Sequence, residues 1–142
     1  MATIRNAHAG WVGDLPTGAG KVSLDSSGVG SFDITWKARA EAAEGKTSPE
    51  ELIAAAHSSC FAMAFTHALG EAGIAADYVN TSAAVTFVPG TGITGSHLTL
   101  AARIPGMGQE DFTAFAEGAK AGCPVSAALA GVTITLDATL DA

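Results

Sequence analysis

The segment that most limits what this chain can fold into begins Ser48-Pro49-Glu50-Glu51 and continues through Leu52 to Phe65. Serine is a good N-cap, proline is tolerated at the first helical position, and glutamate three residues after the cap completes a capping box. The acidic pair also lies at the positive end of the helix dipole. A helix is therefore predicted from here to about Leu69, ended by Gly70 or Gly73. Between Leu52 and Phe65 it is apolar on nearly every side, with His57, Ser58 and Ser59 as its polar members. A helix lying on a protein surface shows one apolar stripe, so this one is expected to be surrounded by protein. The apolar stretch falls short of the about 20 residues a bilayer span needs, which makes it a core helix and not a membrane segment.

The flanking sequence supplies sheet. Lys21–Leu24 and Phe32–Trp36 alternate with period two among glycine turns, predicting two or three antiparallel strands, and residues 38 to 47 read as a polar loop. Tyr78–Val88 and Ser96–Ile104 are predicted strands joined at Pro89-Gly90-Thr91-Gly92, with Pro105-Gly106 closing the second. Gln109–Ala121 has helical spacing, Pro124 can open a short helix to Leu129, and Val132–Leu136 with Ala138–Leu140 ends the chain as strand. The expectation is an α+β chain of antiparallel sheets wrapped around a long buried central helix. It reads as one domain over 1–142, with N-terminal strands at 1–38, the helix at 48–72, and strands and helices at 76–142.

Composition narrows the function. With 48% hydrophobic and 15% charged residues the chain is not a disordered one. Its net charge of −7 repels phosphate backbones and anionic lipid, so nucleic acid and membrane are not expected partners. The first ten residues lack a basic segment followed by an apolar core, so a cytoplasmic location is expected. Two cysteines in that reducing setting are reactive or buried more often than bridged.

Cys60 lies midway along the central helix, and Cys123 sits at a Gly122-Cys123-Pro124 break. Both can be read as small apolar core residues, or as a thiol pair. The second reading needs a thiolate, which burial disfavours. Cys60 is roughly 18 Å beyond the helix start, too far for the dipole to help, so a cation is required. Arg39, ahead of the helix, is the attractive candidate, because a guanidinium stays charged and its fork can grip a carboxylate while facing a sulfur anion. Glu50 is the candidate carboxylate. Glu50 and Cys60 stand ten residues apart, about 15 Å along one helix, so one arginine would have trouble serving both within a subunit. Either the helix is broken or a second subunit contributes, and an interlocked dimer is the reading favoured. The rival constellation is a non-enzymatic metal site built from His57, Cys60 and Cys123, with His67 nearby; soft thiolates would select zinc or copper.

Two segments carry a resemblance: Thr47-Ser48-Pro49-Glu50-Glu51-Leu52-Ile53-Ala54-Ala55-Ala56-His57-Ser58-Ser59-Cys60-Phe61-Ala62-Met63-Ala64, and Ala121-Gly122-Cys123-Pro124-Val125-Ser126. In these, and in the order of its elements, the chain resembles the OsmC/Ohr family of thiol-dependent hydroperoxide reductases, its OsmC branch in particular. The resemblance implies an intertwined homodimer with active sites at the subunit interface. It makes Cys60 the peroxidatic and Cys123 the resolving cysteine, Glu50 the family glutamate, and Arg39 the activating cation, with Lys37 as its substitute. It further implies reduction of organic hydroperoxides, and more weakly hydrogen peroxide, through a Cys60 sulfenic acid and a Cys60–Cys123 disulfide. No bound cofactor is expected; an external dithiol, of dihydrolipoyl type by the resemblance, restores the thiols. Ile53, Phe61 and Met63 are the apolar neighbours expected to favour an alkyl peroxide.

Overall fold

The computed structural model describes residues 1–142, which divide into two compact units, Met1–Leu52 and Ile53–Ala142. In the first, β1 (Ala7–Val12), β2 (Ala19–Leu24) and β3 (Ser31–Ile34) form an antiparallel sheet in chain order. The turn between β1 and β2 requires glycine at 18: a Cβ there would lie 2.3 Å from the Asp14 carbonyl oxygen and 2.5 Å from that of Val12. Trp36 departs from the expectation. It does not extend β3 but opens a short helix, α1 (Trp36–Ala40), inside what reads as strand end and loop. Thr35 is the reason, since its hydroxyl accepts the Ala38 N–H at 3.1 Å as an N-cap.

Helix α2 spans Pro49–Glu71 without a break, which removes the alternative of a broken helix. Ser48 Oγ accepts the Glu51 N–H at 3.2 Å, as the capping box predicts. The return half differs: the Glu51 carboxylate accepts the Thr47 hydroxyl at 2.7 Å. At the far end Gly73 has φ +70°, Ile74 N–H reaches Leu69 O at 2.9 Å, and Gly73 N–H reaches Gly70 O at 3.0 Å. These are the paired bonds of a Schellman stop, and they need a residue free to adopt positive φ.

The second unit builds its sheet from β4 (Tyr78–Val88), β5 (Gly92–Arg103) and β6 (Thr133–Asp141), with β5 central. Pro89-Gly90 and Pro105-Gly106 each make a turn with the glycine at positive φ. Helices α3 (Gln109–Gly122) and α4 (Pro124–Ala128) connect β5 to β6. This crossover returns the chain to the same end of the sheet, so β6 runs parallel to β5. Antiparallel pairing, expected throughout, holds for the other three strand pairs. The core joins Phe61, Phe65 and Leu69 of α2 to Leu98, Leu100 and Ala102 of β5 and to Phe112 and Ala116 of α3. Phe65 and Phe112 meet edge to face, with centroids 5.9 Å apart.

The expectation that the central helix is enclosed on every side is met along one stripe only. His57, Phe61, Phe65 and Leu69 are buried at i, i+4 spacing, whereas Ala55, Ala56, Ser59 and Met63 face outward. The sheet and α3 cover a single face, and the remaining apolar surface of α2 is uncovered within one chain.

Candidate active site

Cys60 projects from the middle of α2, and Cys123 occupies the one-residue corner where α3 ends and α4 begins. Pro124 sets that corner: it cannot continue α3 but suits the first position of a new helix, leaving Cys123 as its cap. The two sulfurs stand 3.0 Å apart. Cys123 is fully buried and Cys60 is partly open to solvent, and no disulfide joins them.

Their environments differ. Burial pushes the Cys60 thiol above its ordinary value and contact with Cys123 pushes the same way, opposed by an N–H from Val125. Burial acts on Cys123 too, but contact with Cys60, the polar backbone and hydroxyl of Ser126, and the backbone of Val125 outweigh it and hold that thiol below its ordinary value. Within this unit a negative charge therefore rests more readily on Cys123. The unit carries only two basic residues besides histidine, and both are engaged elsewhere: Arg103 Nε donates to Ala142 O at 2.8 Å, and Lys120 pairs with Glu117 at 3.0 Å.

In the N-terminal unit the structure brings Arg39 and Glu50 together. Arg39 Nε donates to both carboxylate oxygens of Glu50, at 3.0 and 3.2 Å, and Nη2 donates to Oε1 at 2.8 Å. Glu50 is buried and the arginine side chain is 32% exposed, so the carboxylate fixes a guanidinium that still reaches solvent in part. Lys37, the substitute cation, makes an exposed pair with Glu44 at 3.4 Å instead.

An open trough of about 780 Å³ runs away from Cys60 between α2 and α3. Its lining is mostly hydrocarbon, from Met63, Ala64, Ala68, Phe115 and Pro124, with His67 and Asp111 as polar members. Of the three apolar neighbours expected to meet substrate, only Met63 is there. Phe61 is fully buried in the core, because it shares the inward stripe with Phe65, and Ile53 is half-buried away from the trough lining.

The metal reading does not assemble. His57 is fully buried, with Nδ1 2.7 Å from Ser96 Oγ and Nε2 2.8 Å from Ser126 Oγ, so both ring nitrogens are taken. Burial lowers its pKa and keeps the ring neutral. No three His, Cys, Asp or Glu side chains converge where an ion could be held. Ser96 and Ser126 are the site residues that sequence reasoning missed. A signal existed for Ser126: it stands three residues after a capping position with proline next in line, where side chains and N–H groups turn back to the cap. Ser96 carries none, since its place opposite α2 depends on strand register.

Two thiols held within bonding reach, one open to solvent and one not, define a thiol–disulfide redox protein. Comparison with known proteins narrows that class. The family described as OsmC-like protein matches residues 41–137, and the chain belongs to it. It is 39% identical to peroxiredoxin OsmC of Escherichia coli over 140 residues, 96% of each chain. At that closeness over nearly the full length, it is a thiol-dependent peroxidase. Among solved structures it resembles an organic hydroperoxide resistance protein of Elizabethkingia anophelis, at 26% identity and a TM-score of 0.70 over 99% of this chain and 100% of that one. An OsmC-like protein of Mycoplasma pneumoniae shares the fold at 14% identity, with a TM-score of 0.74 over the whole of both chains.

Proposed function

We propose that the chain reduces organic hydroperoxides to alcohols, with Cys60 as the attacking thiolate and Cys123 as the resolving thiol. The observation that carries this is the 3.0 Å approach of two unbridged sulfurs beside an apolar trough. In the first step the Cys60 thiolate takes the terminal peroxide oxygen, the O–O bond breaks, and one proton completes the departing alcohol. Cys60 becomes a sulfenic acid. Cys123 then displaces hydroxide from that sulfur, forming the disulfide and one water. A dithiol of dihydrolipoyl type returns both thiols by exchange and leaves as its own disulfide.

Cys60 needs a cation that its own unit does not offer, and Arg39 held by Glu50 is the group suited to supply it. Because α2 is unbroken, we assign that fork to the thiol of a second copy, making an intertwined homodimer part of the mechanism. The uncovered apolar side of α2 favours this, as does the exposed first sheet with Trp11, Val12 and Phe32. The alkyl group of the substrate lies in the trough, where each buried methylene contributes ~0.8 kcal/mol, so organic peroxides are preferred over hydrogen peroxide.

Intact mass spectrometry after one equivalent of cumene hydroperoxide tests the scheme. The parent should lose two hydrogens, reversibly with a dithiol. Cys123→Ser should gain one oxygen and stall, and Cys60→Ser should remain unchanged. Peroxide consumption by Cys60→Ser at the parent's rate ends the reading.

A further inference from the structure

The peroxidase scheme leaves one buried titratable group unused. His57 is fully enclosed, yet it does not sit idle among hydrocarbon: it bridges Ser96 on β5 and Ser126 on α4, both buried, at 2.7 and 2.8 Å. Ser126 stands three residues after Cys123 in the first turn of α4, and its hydroxyl is among the groups that hold the Cys123 thiol below its ordinary value; the Cys123 sulfur lies 3.0 Å from that of Cys60. Ser96, His57 and Ser126 thus form a polar line through an otherwise apolar interior, ending in the helical turn that Cys123 caps. Every buried side-chain nitrogen and oxygen in the molecule has a partner, so the line is complete.

We propose that His57 is a positioning residue for the resolving step: clamped between Ser96 and Ser126, it turns the Ser126 hydroxyl onto the Cys123 sulfur. The inference rests on the peroxidase reading above and deepens it. Directionality follows from the donor inventory. A serine hydroxyl has one proton, and a neutral imidazole donates from one nitrogen and accepts at the other. If Ser96 O–H donates to Nδ1, then Nε2–H donates to Ser126 Oγ, and the only proton left on Ser126 points at sulfur. No charge is placed on the buried ring. The line stabilises the Cys123 thiolate, and in the opposite sense it would leave that anion without its hydroxyl donor.

The step it serves balances simply. Cys123 gives up its S–H proton, the thiolate attacks the sulfenic sulfur of Cys60, the S–O bond breaks, and the departing hydroxide takes one proton to become water. Cys60 faces Cys123 from α2; the nearest charged residues along α3, Glu117 and Lys120, pair with each other. Around Cys60 stand His67 and Asp111 on the trough wall and the Arg39–Glu50 fork assigned to it from the second copy; the ionisation that makes the nucleophile in this step is that of Cys123.

Removing one hydrogen bond to an anion should raise the Cys123 pKa by about one unit. At pH 7 the thiolate population then falls about tenfold. Each remaining thiolate is about threefold more reactive, because nucleophilicity rises with basicity. Closure of the disulfide should therefore slow by about threefold at pH 7 in Ser126→Ala. Above both pKa values the order should invert, with the variant closing faster than the parent. A residue that only filled space would not produce that crossing.

The experiment is single-turnover oxidation with cumene hydroperoxide, following sulfenic acid by trapping and disulfide by mass across pH, in parent, Ser126→Ala, Ser126→Thr and His57→Gln. Thiolate absorbance of Cys123 is titrated in parallel in Cys60→Ser and in Cys60→Ser/Ser126→Ala. The proposal expects a lower ratio of closure to first oxidation at pH 7 in Ser126→Ala and His57→Gln, recovery in Ser126→Thr, and the crossing at high pH. An unchanged Cys123 titration with an unchanged closure profile in Ser126→Ala overturns it, even if His57→Gln fails to fold. If the parent forms no disulfide with cumene hydroperoxide, the peroxidase reading fails, and the Cys123 titration still decides whether the Ser126 hydroxyl holds the anion.

Discussion

Replacing Glu50 by glutamine keeps the shape of the Arg39 clamp and removes its charge. The structure gives the pair three N–H···O contacts between 2.8 and 3.2 Å, with the carboxylate side chain 8% and the guanidinium side chain 32% exposed. Exposed ion pairs contribute about 0–1 kcal/mol, whereas breaking a fully buried one costs roughly 3–5 kcal/mol. One buried and one partly open partner place this pair between those limits, at about 2 kcal/mol. A double-mutant cycle of Glu50→Gln with Arg39→Met, read by urea unfolding at one fixed protein concentration, should return that coupling. If the same clamp also aims the cation at Cys60, the rate of Cys60 oxidation should fall about thirtyfold, the kinetic equivalent of about 2 kcal/mol. The two readouts separate two roles. Lost stability with Cys60 oxidation within twofold of the parent would show that Glu50 anchors the loop and does not organise the reaction. A coupling under about 0.5 kcal/mol on both readouts would refute the energetic reasoning itself.

Two further predictions follow from burial. His57 is neutral and enclosed, with a folded-state pKa below its usual 6.5. The unfolded chain therefore binds more protons in that window, and unfolding free energy should hold level above about pH 6.5 and fall as pH drops below it; denaturant midpoints against pH should show this, with the slope reduced in His57→Gln. Ala68→Asp places a carboxylate on the trough wall, so KM for cumene hydroperoxide should rise at least tenfold while turnover of hydrogen peroxide stays within about twofold; equal effects on both substrates would mean the alkyl group binds elsewhere.

What the sequence disclosed was local. The Ser48 cap, the Gly73 stop and the two Pro-Gly turns are properties of four to six consecutive residues, and each lies where its chemistry requires. At Trp36 the alternating pattern runs on past the end of β3 at Ile34, and the Thr35 cap that starts the helix instead is a single hydroxyl. The direction of β6 was not legible, since it depends on a crossover of two helices and not on the strand's own residues. The site divides likewise. Arg39 and Glu50 are eleven residues apart and their union follows from a cap and a short helix. Cys60 and Cys123 are separated by 63 residues, so only resemblance could pair them before the fold did. His57 stood in view but with the wrong partners, because hydroxyls on β5 and α4 reach it only after the core closes.

In the proposed disulfide cycle, the arrangement of the two sulfurs bears on how the enzyme would be recharged. Joining them asks for roughly 1 Å of travel, from 3.0 Å to a bond of about 2.05 Å, with Cys123 already seated at a rigid helical corner. Oxidised and reduced forms can then share one backbone, and no segment has to peel away to bring the resolving residue in. The same economy leaves a single point of entry. Cys123 is sealed and Cys60 is not, so in the proposed cycle the reductant would strike the Cys60 side of the bridge and expel Cys123 as the leaving group.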